Sequence, residues 1–244
     1  RPGRDDGACL GLYPGVTSVL RAGNSESNHY QGRRRRTRPV STRRGLERRL
    51  ADIATFDDPR LDLEQYPTPA DLAAHLLHDA DLRRDLEGTV IDLGTGTGVL
   101  ALGAALRAPE RVIAIERDAD ALATARENER VLEPPVPVVW IRGDATRPPL
   151  AVEDATVVTN PPFGAQNGNR GADRAFLAAA ADIAGVSYSV HNAGSEAFVE
   201  SFAADRGGAV THAFEARLDL DRQFAHQTEE RETITVEVFR IEWA

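Results

Sequence analysis

The sequence predicts an α/β fold, a doubly wound parallel sheet with helices on both faces. Three observations carry that expectation. Short apolar runs alternate with segments of helical period from position 89 onward. The first run leads through a glycine-rich turn into a helix, and four successive runs end in a polar side chain, Asp92, Glu116, Asp144 and Asn160. Repeated strand and helix units of this kind close into a parallel sheet, and such sheets bind their ligands at the carboxyl ends of the strands.

A first helix is expected over 45–55, followed by a lid segment to Pro67 and a helix over 69–79 with proline in its first turn, where a missing N–H costs nothing. The first strand, 89–93, contains Asp92 and runs into Gly94-Thr95-Gly96-Thr97-Gly98 and an Ala/Leu-rich helix through Arg107. The glycines miss the dinucleotide fingerprint, which needs one at 99, where Val99 stands. The phosphate-loop pattern fails because the chain has no lysine. A ligand without a diphosphate fits this turn better. The second strand, 111–116, ends in Glu116, about 20 residues past the turn, where a carboxylate can take both hydroxyls of a ribose. Asp118 reads as the N-cap of a helix over 119–131. The third strand, 136–141, precedes Asp144 and Ala145, within reach of an adenine amine, and the fourth, 154–159, delivers Asn160. A helix over 171–184, a strand over 185–190, a helix over 195–205 and two late strands, 209–215 and 233–243, joined by a polar insertion, complete the order. His191, at the end of its strand, reads as a hydrogen-bonded structural residue.

Asn160, Pro161, Pro162 and Phe163 place two amine acceptors and an aromatic face in one short loop. The exocyclic amine of a nucleobase is a poor nucleophile, because its lone pair is delocalised into the ring. Two acceptors aimed at its hydrogens favour the pyramidal, reactive state: the side-chain oxygen of Asn160 and the carbonyl of Pro161. The prolines fix φ and offer no competing N–H. Phe163 offers a face for an unstacked base, worth about 1–3 kcal/mol. Asn is no general base near neutral pH, so catalysis would rest on alignment, which supplies roughly 7–11 kcal/mol at best. An Asx turn with a core phenylalanine is the plain alternative.

On these motifs the chain resembles the methyltransferase-like five family, class I enzymes that methylate adenine N(6) in small-subunit ribosomal RNA. The resemblance rests on Leu63-Glu64-Gln65-Tyr66-Pro67-Thr68-Pro69, Asp92 to Leu100, Asn160 to Gly164, Gly171 to Leu177, Tyr188 to His191 and Ile234 to Ile241. It implies a Rossmann-like sheet of seven strands in the order 3-2-1-4-5-7-6 with the seventh antiparallel, and S-adenosylmethionine as cofactor. It also implies cofactor contacts from Gln65 and Thr68; from Asp92 and Gly96 with the glycine turn; from Gly94, Thr97 and Val99 at the methionine end; from Glu116 at the ribose; and from Asp144 and Ala145 at the adenine. Asn160 through Phe163 would bind the target base. Thr97 is equally a candidate helix cap, and Tyr66 stands open between packing on Leu63 and substrate contact. A small zinc-binding activator protein is the implied partner beside structured RNA. A release-factor glutamine methyltransferase, a DNA adenine methyltransferase and a non-catalytic assembly scaffold are the alternatives. Tyr usually replaces Phe163 in the first, and the second needs a recognition domain that this length lacks. The third has no need of an intact Asn-Pro-Pro-Phe.

Charge sets the chain apart from that family. All 29 basic residues are arginine, against 38 acids. Residues 1–39 hold eight arginines and three acids, so residues 40–244 hold 21 and 35, a net charge of −14. Relatives carry lysines between 224 and 234, where this chain has Ala-His-Gln-Thr-Glu-Glu-Arg-Glu-Thr. Phosphate contacts usually dominate affinity for nucleic acid, so an acidic surface points to a halophilic archaeon, where screening shortens the Debye length to about 3 Å at 1 M salt. The domain expected to carry the chemistry is 41–244. Segment 1–40 reads as a disordered basic extension or misassigned upstream sequence, with an RNA-binding arm as the alternative. The single cysteine, Cys9, allows no disulfide within the chain and no cysteine zinc site, which fits a reducing cytoplasm. No apolar stretch reaches transmembrane length.

Overall fold

The computed structural model describes residues 39–60, 63–162, 171–221 and 231–244. Expectations for Cys9, the basic tail through position 38, Phe163 and residues 222–230 lie outside them. The described chain opens with α1 (Arg43–Leu50) and α2 (Ala70–Leu82). It then alternates β1 (Thr89–Leu93), α3 (Val99–Ala105), β2 (Arg111–Glu116), α4 (Ala119–Leu132), β3 (Val138–Arg142) and β4 (Ala155–Thr159). It closes with α5 (Ala172–Ile183), β5 (Ala184–Asn192), α6 (Glu196–Asp205), β6 (Ala209–Asp221) and β7 (Arg231–Glu242).

The seven strands form one sheet in the order β3-β2-β1-β4-β5-β7-β6. Neighbours among β1 to β5 pair in parallel, and β7 runs antiparallel to both β5 and β6. Successive residues on a strand face opposite sides, and here both sides are covered. Val90, Val112, Ala114, Val158 and Tyr188 share a core with α1, α2 and α3. Ile91, Leu93, Ile113, Ile115 and Val157 pack with α5, and Phe239 and Ile241 of β7 pack with Val199 and Phe202 of α6. Each buried valine, leucine, isoleucine or phenylalanine among these contributes about 1.5–3 kcal/mol. This two-sided burial explains why the central strands are continuous apolar runs.

Boundaries of α1, α2, β3 and β6 differ from the sequence expectation. Helix α1 starts at Arg43 because the Thr42 hydroxyl accepts the Gly45 N–H at 3.1 Å. It stops at Leu50, short of 55, because Asn128 on α4 claims the backbone of Ala54 on both sides, accepting its N–H at 2.8 Å and donating to its carbonyl at 2.9 Å. Pro69 is the N-cap of α2 rather than a residue of its first turn, and the helix continues to Leu82 with Ala80 buried. Strand β3 begins at Val138, two residues late, because Pro137 has no N–H for the ladder; Val138 instead donates to Glu129 Oε1 at 2.8 Å. Strand β6 does not end at 215. It pairs with β7 as far as Asp221 opposite Arg231, so the expected polar insertion begins as a long hairpin. Asp118 caps α4, its Oδ1 accepting the Asp120 N–H at 3.1 Å.

Candidate active site

The carboxyl ends of β1, β2 and β4, and the loop after β3, meet around a cavity of about 350 Å³, within the usual range for small-molecule sites. The glycine turn forms one wall. Its Gly94 and Thr95 N–H groups both donate to the Ile115 carbonyl, at 2.9 and 3.0 Å, fastening β1's end to β2. Gly94 is left-handed, with φ +72°, and a Cβ there would sit 2.8 Å from Phe176 Cε1. A Cβ on Gly96 would sit 2.9 Å from Phe56 Cζ. The turn therefore makes room for two aromatic rings, and both rings line the cavity.

Asp92 stands behind the turn. Its Oδ2 accepts the Thr95 hydroxyl at 2.5 Å and the Ala101 N–H at 2.9 Å, and it is absent from the cavity lining. Burial pushes its carboxyl up to about 7, and its Oδ1 has no partner among the described residues. The structure places Asp92 behind the glycine turn as its support, not in the cavity lining where a direct contact was expected. Gly96, Thr97 and Val99 do line the cavity. Thr97 is no helix cap: Gly98 holds that position, and the buried Thr97 Oγ1 has no partner among the described residues.

Glu116 reaches the cavity from the end of β2. Its Oε1 accepts the backbone N–H groups of Arg117 and Asp118, at 2.8 and 2.9 Å, and its Oε2 accepts that of Gly96 at 2.9 Å. A carboxylate has about four lone-pair sites; bonds among the described residues fill three and leave one open on Oε2. Asp144 and Ala145 form the next part of the lining. Asp144 Oδ1 accepts from the Thr146 hydroxyl and N–H, at 2.7 and 2.9 Å, and the hydroxyl's bond leads in holding its carboxyl below the usual range.

The segment before α2 closes the cavity from the other side. Gln65 lines it, yet both ends of its amide are used within the protein: Oε1 accepts the Arg60 N–H at 2.8 Å, and Nε2 donates to Asp118 Oδ2 at 2.6 Å. Asp118 thus caps α4 with one oxygen and anchors this segment with the other. Tyr66 is half-buried and faces the cavity. Thr68 Oγ1 accepts the Asn160 Nδ2–H at 3.1 Å. Asn160 Oδ1 is buried without a partner among the described residues. Pro162 lines the cavity with Asn160, whereas Pro161 is buried and is not part of the lining.

Sequence reasoning missed Phe56, Phe176, Arg117 and Thr146, all in the lining. The bare glycines at 94 and 96 were the available signal for the two rings. His191 lies away from the cavity, buried, with Nε2 2.8 Å from Ser189 Oγ and its ring edge-on to Phe239; burial pulls its imidazole down to about 4. Tyr188 is also structural. Its hydroxyl donates to Asp85 Oδ2 at 2.6 Å, and Arg240 grips the same carboxylate through Nε at 2.7 Å and Nη2 at 3.1 Å.

Residues 68–208 match the family model for the methyltransferase small domain. The Methanocaldococcus jannaschii protein MJ0284 is 34% identical over 205 residues, covering 81% of this chain and 92% of that one. The Drosophila melanogaster rRNA N(6)-adenosine-methyltransferase Mettl5 is 32% identical over 206 residues, covering 82% of this chain and 95% of that one. The crystal structure of the Pyrococcus horikoshii RNA methyltransferase candidate PH1948 superposes with a TM-score of 0.75 at 35% identity, covering 84% of this chain and 99% of that one. The glycine turn, the strand-end acids and the Asn-Pro-Pro loop lie inside these matches, and the chain belongs to the methyltransferase small domain family and, within it, to the methyltransferase-like five family of S-adenosylmethionine-dependent class I enzymes.

Proposed function

We propose that this chain methylates the exocyclic amine of an adenosine in RNA, with small-subunit ribosomal RNA as the substrate. One observation carries the reading: Asn160 holds a buried acceptor oxygen, without a partner among the described residues, in the same cavity as the glycine turn, Glu116 and Asp144. A buried acceptor left unpaired costs about 1–3 kcal/mol, a cost that a bound donor removes.

The residues fit S-adenosylmethionine. The turn offers no cation to a diphosphate, and the free lone-pair site of Glu116 suits a ribose hydroxyl. Asp144 and Ala145 suit an adenine, while Gly94, Thr97 and Val99 suit the methionine end, where the Thr97 hydroxyl, without a partner among the described residues, can take a polar group. When bound, the cofactor supplies an electrophilic methyl group. Asn160 Oδ1 accepts a hydrogen of the target amine and favours the pyramidal nitrogen. Asn160 Oδ1 is the acceptor that the cavity presents, since Pro161 is not part of its lining, and Phe163 is the stacking face in this reading. The departing proton goes to water, since an amide does not take it.

The partners follow the same reading. Structured RNA delivers the base, with unstacking costing a few kcal/mol. A small zinc-binding activator would pair with a free sheet edge by strand addition. Edge strand β3 supports this, because Val139 on it and Val131 at the end of α4 are 49% and 62% exposed. The net charge of −14 over residues 40–244 supports a halophilic archaeal cytoplasm. Among the described residues no helix is long and apolar enough to cross a membrane.

The test incubates the chain with methyl-labelled cofactor and small ribosomal subunits lacking the modification, then digests the RNA. Label in N(6)-methyladenosine is expected. Label in protein would move the target to a glutamine amide.

A further inference from the structure

Residues 40–244 carry a net charge of −14, so the overall field of the domain repels a polyanion, and only arginines at contact distance can hold one. A second hollow, of about 470 Å³, adjoins the cavity, and Gly171 and Ala175 line both. Arg174 and Arg206 line the second hollow and not the first. Both are exposed, Arg174 in the first turn of α5 and Arg206 at the C-cap of α6.

One aromatic ring carries both guanidinium groups. Arg174 Cζ lies 5.3 Å from the ring centres of Phe198 and Phe202, and Arg206 Cζ lies 5.2 Å from that of Phe202. Phe202 is a fixed platform, because it is buried with Val199, Phe239 and Ile241. Stacking on a ring holds the planar arginine fork in a set orientation. Two like charges on one ring also repel each other, a repulsion that a bound anion relieves. The neighbouring carboxylates leave that need unmet. Asp182 accepts from Arg206 Nη1 at 3.2 Å, but the pair is exposed on both sides and uses one of the five guanidinium donors. Asp205 lines the hollow as well. The Arg174 guanidinium has no carboxylate partner among the described residues. A phosphodiester suits the pair, since an arginine fork meets phosphate oxygens two at a time.

We propose that Arg174 and Arg206, stacked on Phe202, bind the RNA backbone beside the nucleotide whose base enters the cavity. The inference rests on RNA as the substrate. Continuity with the cavity through Gly171 and Ala175 puts the pair on the path of the strand that delivers the base. It also gives an acidic domain a local hold on phosphate without the lysines that its relatives carry between 224 and 234.

The experiment uses the full chain with Arg174→Gln, Arg206→Gln, the double variant and Arg111→Gln. Arg111 is an exposed residue at the amino end of β2, the end opposite the cavity, and its variant removes the same charge away from the site. Binding and methyl transfer are measured on a small-subunit ribosomal RNA transcript, over the range of salt in which circular dichroism shows each chain folded. The double variant should flatten the plot of log affinity against log salt by about 1.4, two single-strand phosphate contacts at about 0.7 each. Its KM for RNA should rise at least about fivefold, with kcat at saturating RNA and S-adenosylmethionine Kd within about twofold of the parent. Arg111→Gln should leave the slope within about 0.2 of the parent. If the glutamine pair does not fold, leucine at both positions, which keeps Phe202 covered, takes its place. The proposal is overturned by a parental slope and KM in the double variant, by a weakened cofactor Kd with RNA KM intact, or by an Arg111→Gln slope as flat as that of Arg174→Gln, which marks a field effect rather than a contact. A parent chain that methylates no RNA overturns the substrate reading and this one together; a parent that methylates RNA beside an unaffected double variant overturns the arginine contact alone.

Discussion

Glu116 Oε2 accepts the backbone N–H of Gly96 at 2.9 Å, joining the end of β2 to the glycine turn that follows β1. The bond makes one carboxylate both a wall of the cavity and a brace for its loop. Glu116→Ala removes three backbone partners at once. Bonds to a charged acceptor are worth about 1.5–3 kcal/mol each, part of which water recovers. S-adenosylmethionine affinity should fall by at least about tenfold, with kcat at saturating cofactor much less affected. Calorimetric titration beside steady-state kinetics separates the two, and unchanged affinity would remove Glu116 from the cofactor site.

Asp92 gives the protein a distinctive pH dependence. Its folded pKa is raised from 3.8 to about 7, chiefly by burial, so the folded chain holds a proton that the unfolded chain has released. That contribution is complete below 3.8 and is lost as pH rises through about 7. Asp92→Asn carries no such proton. Melting temperature should therefore fall more steeply between pH 5 and 8 for the parent than for the variant. Parallel curves would show that Asp92 is ionised throughout.

His191 has the opposite sign. Its folded pKa, lowered to about 4 by burial, lies below the ordinary 6.5, so its contribution is present above 6.5 and is lost as pH falls through about 4. His191→Gln should reduce the loss of stability in acid and leave the pH profile of kcat unshifted. A displaced acidic limb in that profile would instead make His191 a participant in the reaction.

Gly94 has no room for a side chain. Alanine there meets Phe176 Cε1 at 2.8 Å in a left-handed conformation, and the backbone strain alone is about 1–2 kcal/mol. Gly94→Ala should lower the midpoint of chemical denaturation and weaken cofactor binding together. A variant with parental stability and affinity would mean that Phe176 yields freely.

Asp85, Tyr188 and Arg240 form a largely buried network that ties the segment before β1 to β5 and β7. Removing one partner of a buried pair strands the other, at about 3–5 kcal/mol. Urea unfolding of Arg240→Met should show a loss of that order. A loss below about 1 kcal/mol would place the pair among weak surface bridges.

What the sequence disclosed follows from where the determinants lie. Strands β1, β2 and β4 were legible because their apolar runs are bounded by local turn chemistry, and Asp118 was legible as a cap because capping is local. The end of α1 was not, because it is set by Asn128, 74 positions beyond Ala54. Strand β6 was cut short at 215 because charged residues at a sheet edge were read as loop, although edge strands commonly carry them. Within the site, Glu116, Asp144 and Asn160 could be read from strand ends. The placing of Asp92 behind the turn, the engagement of Gln65 with Asp118 and the pairing of Thr68 with Asn160 depend on contacts across the fold, and no local pattern encodes them.

The central claim is that Asn160 holds the target amine for transfer. Its most direct test is the single-turnover rate of Asn160→Ala with cofactor and unmodified small-subunit ribosomal RNA both saturating. The rate of N(6)-methyladenosine formation should fall by about a hundredfold or more while S-adenosylmethionine Kd stays within about twofold of the parent. A rate near that of the parent chain would contradict the account.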